Sequence, residues 1–195
     1  MSSSTRQKLI EAANQRFYRD GFRNVGIDQI LDDVGISKTA FYKHFESKDD
    51  LVLEVLAFHD HWWRTVFTDT IRQRGGDDPV AQLHAMMDVV QDVIESDDYR
   101  GCFFINVAME FPLPHDPAHR AAAENKRAIE HVVRELAIQA GVADPQAMAE
   151  ELCMVMEGAY VTRQVTGSPA TAAIARRVAD HILCRHIPAA KGRSN

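Results

Sequence analysis
Apolar residues recur at three- and four-residue spacing along almost every segment of this chain, and nowhere do they alternate over the length of a strand. A chain patterned this way hides its apolar stripes by packing helix on helix, so the expected fold class is all-α. Leu9, Ile10, Ala13 and Phe17 mark one face of a helix over 5–20, and Ile27, Ile30, Leu31 and Val34 one face of a helix over 27–34. Gly21, Gly35, Gly75-Gly76, Pro112 with Pro114, and Gly141 break the chain between periodic segments. The pattern predicts about nine helices, the other seven over 38–44, 48–74, 79–95, 102–111, 118–139, 145–166 and from the Ser168-Pro169 step to 186. Ser37 is placed to cap the third helix and Ser47, with Asp50, the fourth. Asp144-Pro145 and Ser168-Pro169 each set a cap ahead of a proline in the first turn. Residues from Pro188 onward are expected to fray.

Charge divides the chain in two. Through Lys48 there are eight Lys/Arg against six Asp/Glu, and beyond it 14 against 22, within a net charge of −6. A mildly basic head on an acidic body suits a protein that offers one end to phosphates. The 195 residues are 46% apolar, enough to bury a real core and too many for a disordered chain. No apolar run approaches the ~20 residues of a membrane helix. Met1–Arg6 carries no apolar segment of a secretory signal, and Cys102, Cys153 and Cys184 fit neither a disulfide framework nor a zinc ribbon. The expectation is a cytoplasmic protein with no membrane partner and no cofactor.

The segment 26–45, GIDQILDDVGISKTAFYKHF, concentrates the chemistry. Two short helices joined by a glycine-containing turn make a helix-turn-helix, held together through Ile30, Val34, Ile36, Phe41 and Phe45. Outward on the second helix stand Lys38, Thr39, Tyr42, Lys43 and His44, and no carboxylate occurs from Ile36 to Phe45. Such a face supplies donors to phosphate oxygens and short side chains that let base edges approach.

In Arg6, Leu9-Ile10, Ala13, Phe17, Gly21-Phe22, Ile30, Gly35-Ile36-Ser37-Lys38, Phe41-Tyr42, His44-Phe45 and Lys48-Asp49-Asp50-Leu51 the chain strongly resembles the TetR family of transcriptional regulators. The resemblance covers roughly the first sixty residues. It departs at Gly26, where the family often has a Ser or Thr cap, although glycine still caps acceptably. It implies a DNA-binding head over 1–63, with its helix-turn-helix at 26–45, and a ligand-binding and dimerisation body over 64–195. Lys38, Thr39 and Ala40 would then lie at the major-groove floor, with Thr39 the leading base contact. Tyr42, Lys43, His44 and Lys48 would face phosphates, and Ser37 would cap and donate. Implied partners are an operator duplex, a small-molecule effector and a second copy of the chain. An effector in the body would tilt the long fourth helix and alter the spacing of two heads that must fall about 34–36 Å apart on DNA.

For an effector pocket, Trp62, Trp63, Phe67, Met87, Phe103, Val107, Met154 and Tyr160, with Met86, Val90, Phe104 and Phe111, form an aromatic and methionine-rich set. Asn106, Glu110, Glu157, Arg163 and Gln164 are polar points among them. Each apolar member taken singly reads better as plain core; as a set they suggest an apolar or aromatic effector. For the dimer interface the pattern offers Leu152, Val155 and Ala159 on the eighth helix and Ala175, Val178, Ala179 and Ile182 on the ninth. His59 and His61 fall on different helix faces, and Pro117 separates His115 from His119, so neither pair is expected to hold a metal. Cys102 has no cation near it in sequence, which favours an inert thiol over a redox switch. The leading reading is a ligand-responsive regulator whose expected mode is repression. The alternatives are a TetR-like DNA-binding protein that answers to a protein partner, and an all-α enzyme using Glu110, Glu157 and histidines.

Overall fold
A computed structural model describes residues 4–187, so Met1–Ser3 and the tail from Pro188 lie outside the described residues. Among the described residues there are nine helices and no strand: α1 Thr5–Asp20, α2 Ile27–Val34, α3 Lys38–Phe41, α4 Lys48–Gly75, α5 Pro79–Glu95, α6 Phe103–Glu110, α7 Pro117–Gln139, α8 Pro145–Thr166 and α9 Thr171–His186. No helix among them is long and apolar enough to cross a membrane.

Local capping chemistry explains most of the boundaries. Ser37 Oγ accepts from Ala40 N at 3.2 Å and Ser47 Oγ from Asp50 N at 3.1 Å. Asp50 reaches back to Glu46 N rather than to the cap residue itself, at 3.0 Å. Asp78 and Asp144 cap α5 and α8, each ahead of a proline in the first turn. Gly35 ends α2 in the left-handed region, at φ 72° and ψ 39°, while Gly35 N and Ile36 N both donate to Leu31 O.

Two boundaries differ from the pattern by more than one residue. The recognition helix stops at Phe41 instead of 44, because His44 N turns back to Phe41 O at 2.8 Å and draws Phe45 into the core just before Ser47 opens α4. The last helix does not start at Pro169: Ser168 and Pro169 form a turn whose carbonyl accepts from Thr171, and α9 begins at Thr171.

The chain forms two compact units, one of 1–63 with Phe103–Asn125, the other of Arg64–Cys102 with 126–195. The chain passes between them three times: within α4, at the start of α6 and again within α7. In the first unit, Leu9, Ile10, Ala13 and Phe17 of α1 are buried with Phe22, Val25, Ile30, Phe41, Phe45, Leu51 and Val55. In the second, α5 packs on both α8 and α9, which pack on each other. Leu83, Met86, Val90, Met148, Leu152, Met156, Ala175, Ala179 and Leu183 are among its buried residues.

Candidate nucleic-acid interface
The helix-turn-helix is held as a unit by apolar and ionic contacts. Ile30 and Phe41 are fully buried, and the Phe45 ring packs tilted against Phe41 with ring centroids 5.5 Å apart. The Arg16 guanidinium grips Asp33 through two bonds, at 2.5 and 2.6 Å, tying α1 to α2. Hydrogen bonding to Arg16 holds the Asp33 carboxyl below the usual carboxylate range.

On the opposite side of this packing stand the residues expected to meet DNA. Ser37, Lys38, Thr39, Tyr42, Lys43 and His44 are exposed and Ala40 is half-buried. Tyr42 is 57% exposed, with its ring edge-on to Phe41 at 5.2 Å. One feature of this face was hidden in the sequence. Asp28, from the first turn of α2, pairs with Lys38 Nζ at 2.9 Å, so the face takes a carboxylate from the neighbouring helix. Lys48 also differs from expectation. Its Nζ donates to Phe22 O at 2.6 Å and lies 5.9 Å from the Phe17 ring centroid, and burial pushes its pKa down. Its ammonium is thus engaged inside the head, where a contact between α4 and the α1–α2 turn was not legible.

The body candidates disperse. Phe103 stacks on His59 with centroids 3.8 Å apart and packs edge-on to Phe22, which makes it part of the first unit's aromatic core. Val107 is buried in that unit, Asn106 and Trp63 are half-buried, and Trp62 is exposed. Glu110 is no free polar point: its carboxylate accepts from Phe22 N and Arg23 N. In the second unit Phe67, Met87 and Tyr160 are buried, and Glu157 pairs with Lys126 at 3.4 Å. Met154 is 75% exposed, which removes it from any interior. A cleft of about 490 Å³ in the second unit is lined by Ile94, Asp97, Tyr99, Arg100, Arg163 and Gln164 among others, so of the sequence candidates only Arg163 and Gln164 reach it. Arg163 there staples two helix ends, donating to Ile94 O at 3.0 Å and to Gly167 O at 2.5 Å.

The dimer candidates also divide. Leu152, Ala159, Ala175 and Ala179 are buried inside the unit, Val155 and Ile182 are half-buried, and Val178 is exposed. The apolar surface left uncovered on α8 and α9 is instead Met154, Val161, Val165, Ile174 and Val178. Both stripes of α8 are apolar, and packing against α5 and α9 selects the one that is buried. Cys102 does have a cation beside it, since Lys126 Nζ lies 3.4 Å from its Sγ. Cys153 is buried, and burial pushes its thiol up to about 12.

Comparison with known proteins places this geometry. Residues 9–55 match the family model for bacterial regulatory proteins of the tetR family, and 79–179 match the tetracyclin repressor-like C-terminal domain. The HTH-type transcriptional regulator YjdC of Escherichia coli is 23% identical over 91% of this chain and 93% of its own length. An uncharacterised HTH-type regulator of Lactococcus lactis is 31% identical over 55% of each chain. A TetR-family transcriptional regulator of Streptomyces coelicolor superposes with a TM-score of 0.87 at 29% identity, covering 94% of this chain and 96% of that one.

Proposed function
The chain belongs to the TetR family of bacterial regulatory proteins, and from that membership we propose that it is a ligand-responsive repressor which binds a palindromic operator as a homodimer. One observation carries the DNA-facing part of this reading: Thr39 on the second helix of the helix-turn-helix and Tyr42, Lys43 and His44 just after it stand exposed together, while Ile30, Leu31, Phe41 and Phe45 are buried. Thr39 reads a base edge, while Tyr42, Lys43 and His44 contact phosphates. Lys38 joins them when a phosphate displaces it from the exposed Asp28, an exchange of one anion for another that costs little at a solvated surface.

Dimerisation is supported by Met154, Val161 and Val165 of α8 and by Ile174 and Val178 of α9, an apolar surface that a second copy would cover. The effector is a small, largely apolar or aromatic molecule taken up by the body, whose interior holds Met86, Met87, Met148 and Met156 with Phe67 and Tyr160. The carboxylates an enzyme would need, Glu110 and Glu157, are both engaged with protein partners, which weighs against catalysis.

The test is fluorescence anisotropy with the promoter region flanking the protein's own gene, across a salt series, with Tyr42→Ala and Lys43→Ala as controls. Tight, competitor-resistant binding that falls steeply with salt and is lost in both variants is expected. Weak binding to every sequence, indifferent to Tyr42 and unimproved after selection from random DNA, overturns the proposal.

A further inference from the structure
We propose that Glu110, which lies outside the helix-turn-helix at the end of α6, is a positioning residue for DNA binding: it fixes the α1–α2 turn on which the helix-turn-helix is seated. The proposal rests on the DNA-binding reading of the head. Phe22 N donates to Glu110 Oε1 at 3.0 Å and Arg23 N to Glu110 Oε2 at 2.7 Å, so one carboxylate takes two consecutive backbone N–H groups. The grip is returned by Arg23, whose Nε donates to Glu110 O at 2.7 Å and whose guanidinium lies 5.2 Å from the Phe111 ring centroid. From the other side, Lys48 Nζ takes the Phe22 carbonyl. The turn is drawn close against the carboxylate: Gly21 sits at φ +88°, and a Cβ built there would meet Glu110 Oε1 at 3.2 Å.

Phe22 and Val25 are buried on this turn, but apolar burial is non-directional and leaves its orientation loose. Charge-assisted hydrogen bonds to fixed N–H groups supply direction. Only a carboxylate can serve both, since an amide has a single acceptor oxygen and would aim its NH2 at a donor. Gly26 then opens α2, with Gln29 Oε1 accepting Gly26 N at 2.8 Å, and α2 carries α3. A small tilt of the turn therefore displaces Thr39, the base-reading residue. Base readout depends on such positions, whereas attraction to phosphates does not.

The experiment compares full-length protein with its Glu110→Gln variant on two duplexes at one salt concentration. One duplex carries the sequence that the wild type selects from a random pool, and the other is scrambled. Amide hydrogen exchange at Phe22 and Arg23 is followed in parallel. The variant is expected to bind the selected duplex at least tenfold more weakly and the scrambled one within twofold of wild type, with faster exchange at both amides. Glu110→Asp, which keeps the charge but falls one methylene short of both N–H groups, is expected to split the affinities in the same direction and serves if the glutamine variant does not fold. Unchanged affinity for the selected duplex despite faster exchange, or an equal fall on both duplexes, overturns the proposal and leaves Glu110 a structural residue. A wild type that selects no sequence overturns the DNA-binding reading itself.

Discussion

His59 makes the head acid-sensitive, by an amount that follows from its surroundings. The ring lies face to face with Phe103, 3.8 Å between centroids and 9° between planes, and its Nδ1–H donates to Asn14 Oδ1 at 3.0 Å. Burial, opposed by the charge of Asp60, pushes its pKa from 6.5 down to about 4. The neutral ring is thus favoured in the folded state, and the unfolded chain binds the proton first. Stability is retained above pH 6.5 and lost as pH falls from 6.5 towards 4, amounting to about 2 kcal/mol by pH 5 and about 3 kcal/mol by pH 4. Urea denaturation of wild type and His59→Phe, from pH 7.5 to pH 4 at one protein concentration, isolates this contribution. Phenylalanine keeps the stack and does not titrate, and the carboxylates common to both proteins cancel in the difference. The variant loses about 1 kcal/mol at pH 7.5 with the Asn14 bond, and the two stability curves cross at about pH 5.8. Parallel curves across this range would refute the assignment of a neutral, buried His59.

Three further outcomes are expected. Lys43→Ala weakens operator binding and reduces the slope of log affinity against log salt by about 1, read from the anisotropy series, as loss of one phosphate contact requires. Val165→Glu, on an exposed site, shifts the chain towards monomer in light scattering with little change in melting temperature, whereas Leu152→Ala, at a fully buried site, costs about 2–5 kcal/mol in denaturation. At pH 8, mass-resolved alkylation labels exposed Cys184 first and Cys153 last, because Cys153 is buried and its thiol is pushed up to about 12.

Helical period, caps and the Gly35-Ile36-Ser37 turn determined the all-α class, the nine segments and the exposed donors of the recognition turn. Each of these rests on side chains within about four residues of one another, a range over which sequence spacing is spatial spacing. Where a local signal was weak the boundary moved, as at Phe41 and at Ser168-Pro169, because a neighbouring turn competed for the same backbone groups.

What only the tertiary structure decided involves partners far apart in the chain. Glu110 reads as a polar point for a ligand until Phe22 and Arg23 are brought to it, and nothing in the sequence around Lys48 marks its bond to the Phe22 carbonyl. Cys102 gains its cation from α7, and the recognition face gains Asp28 from α2. On α8 the sequence offers two apolar stripes of similar character, Leu152 with Ala159 and Met154 with Val161 and Val165. Hydrophobicity is indifferent to direction, so it marks both as fit for burial; the packing of α5 and α9 covers the first and leaves the second in solvent.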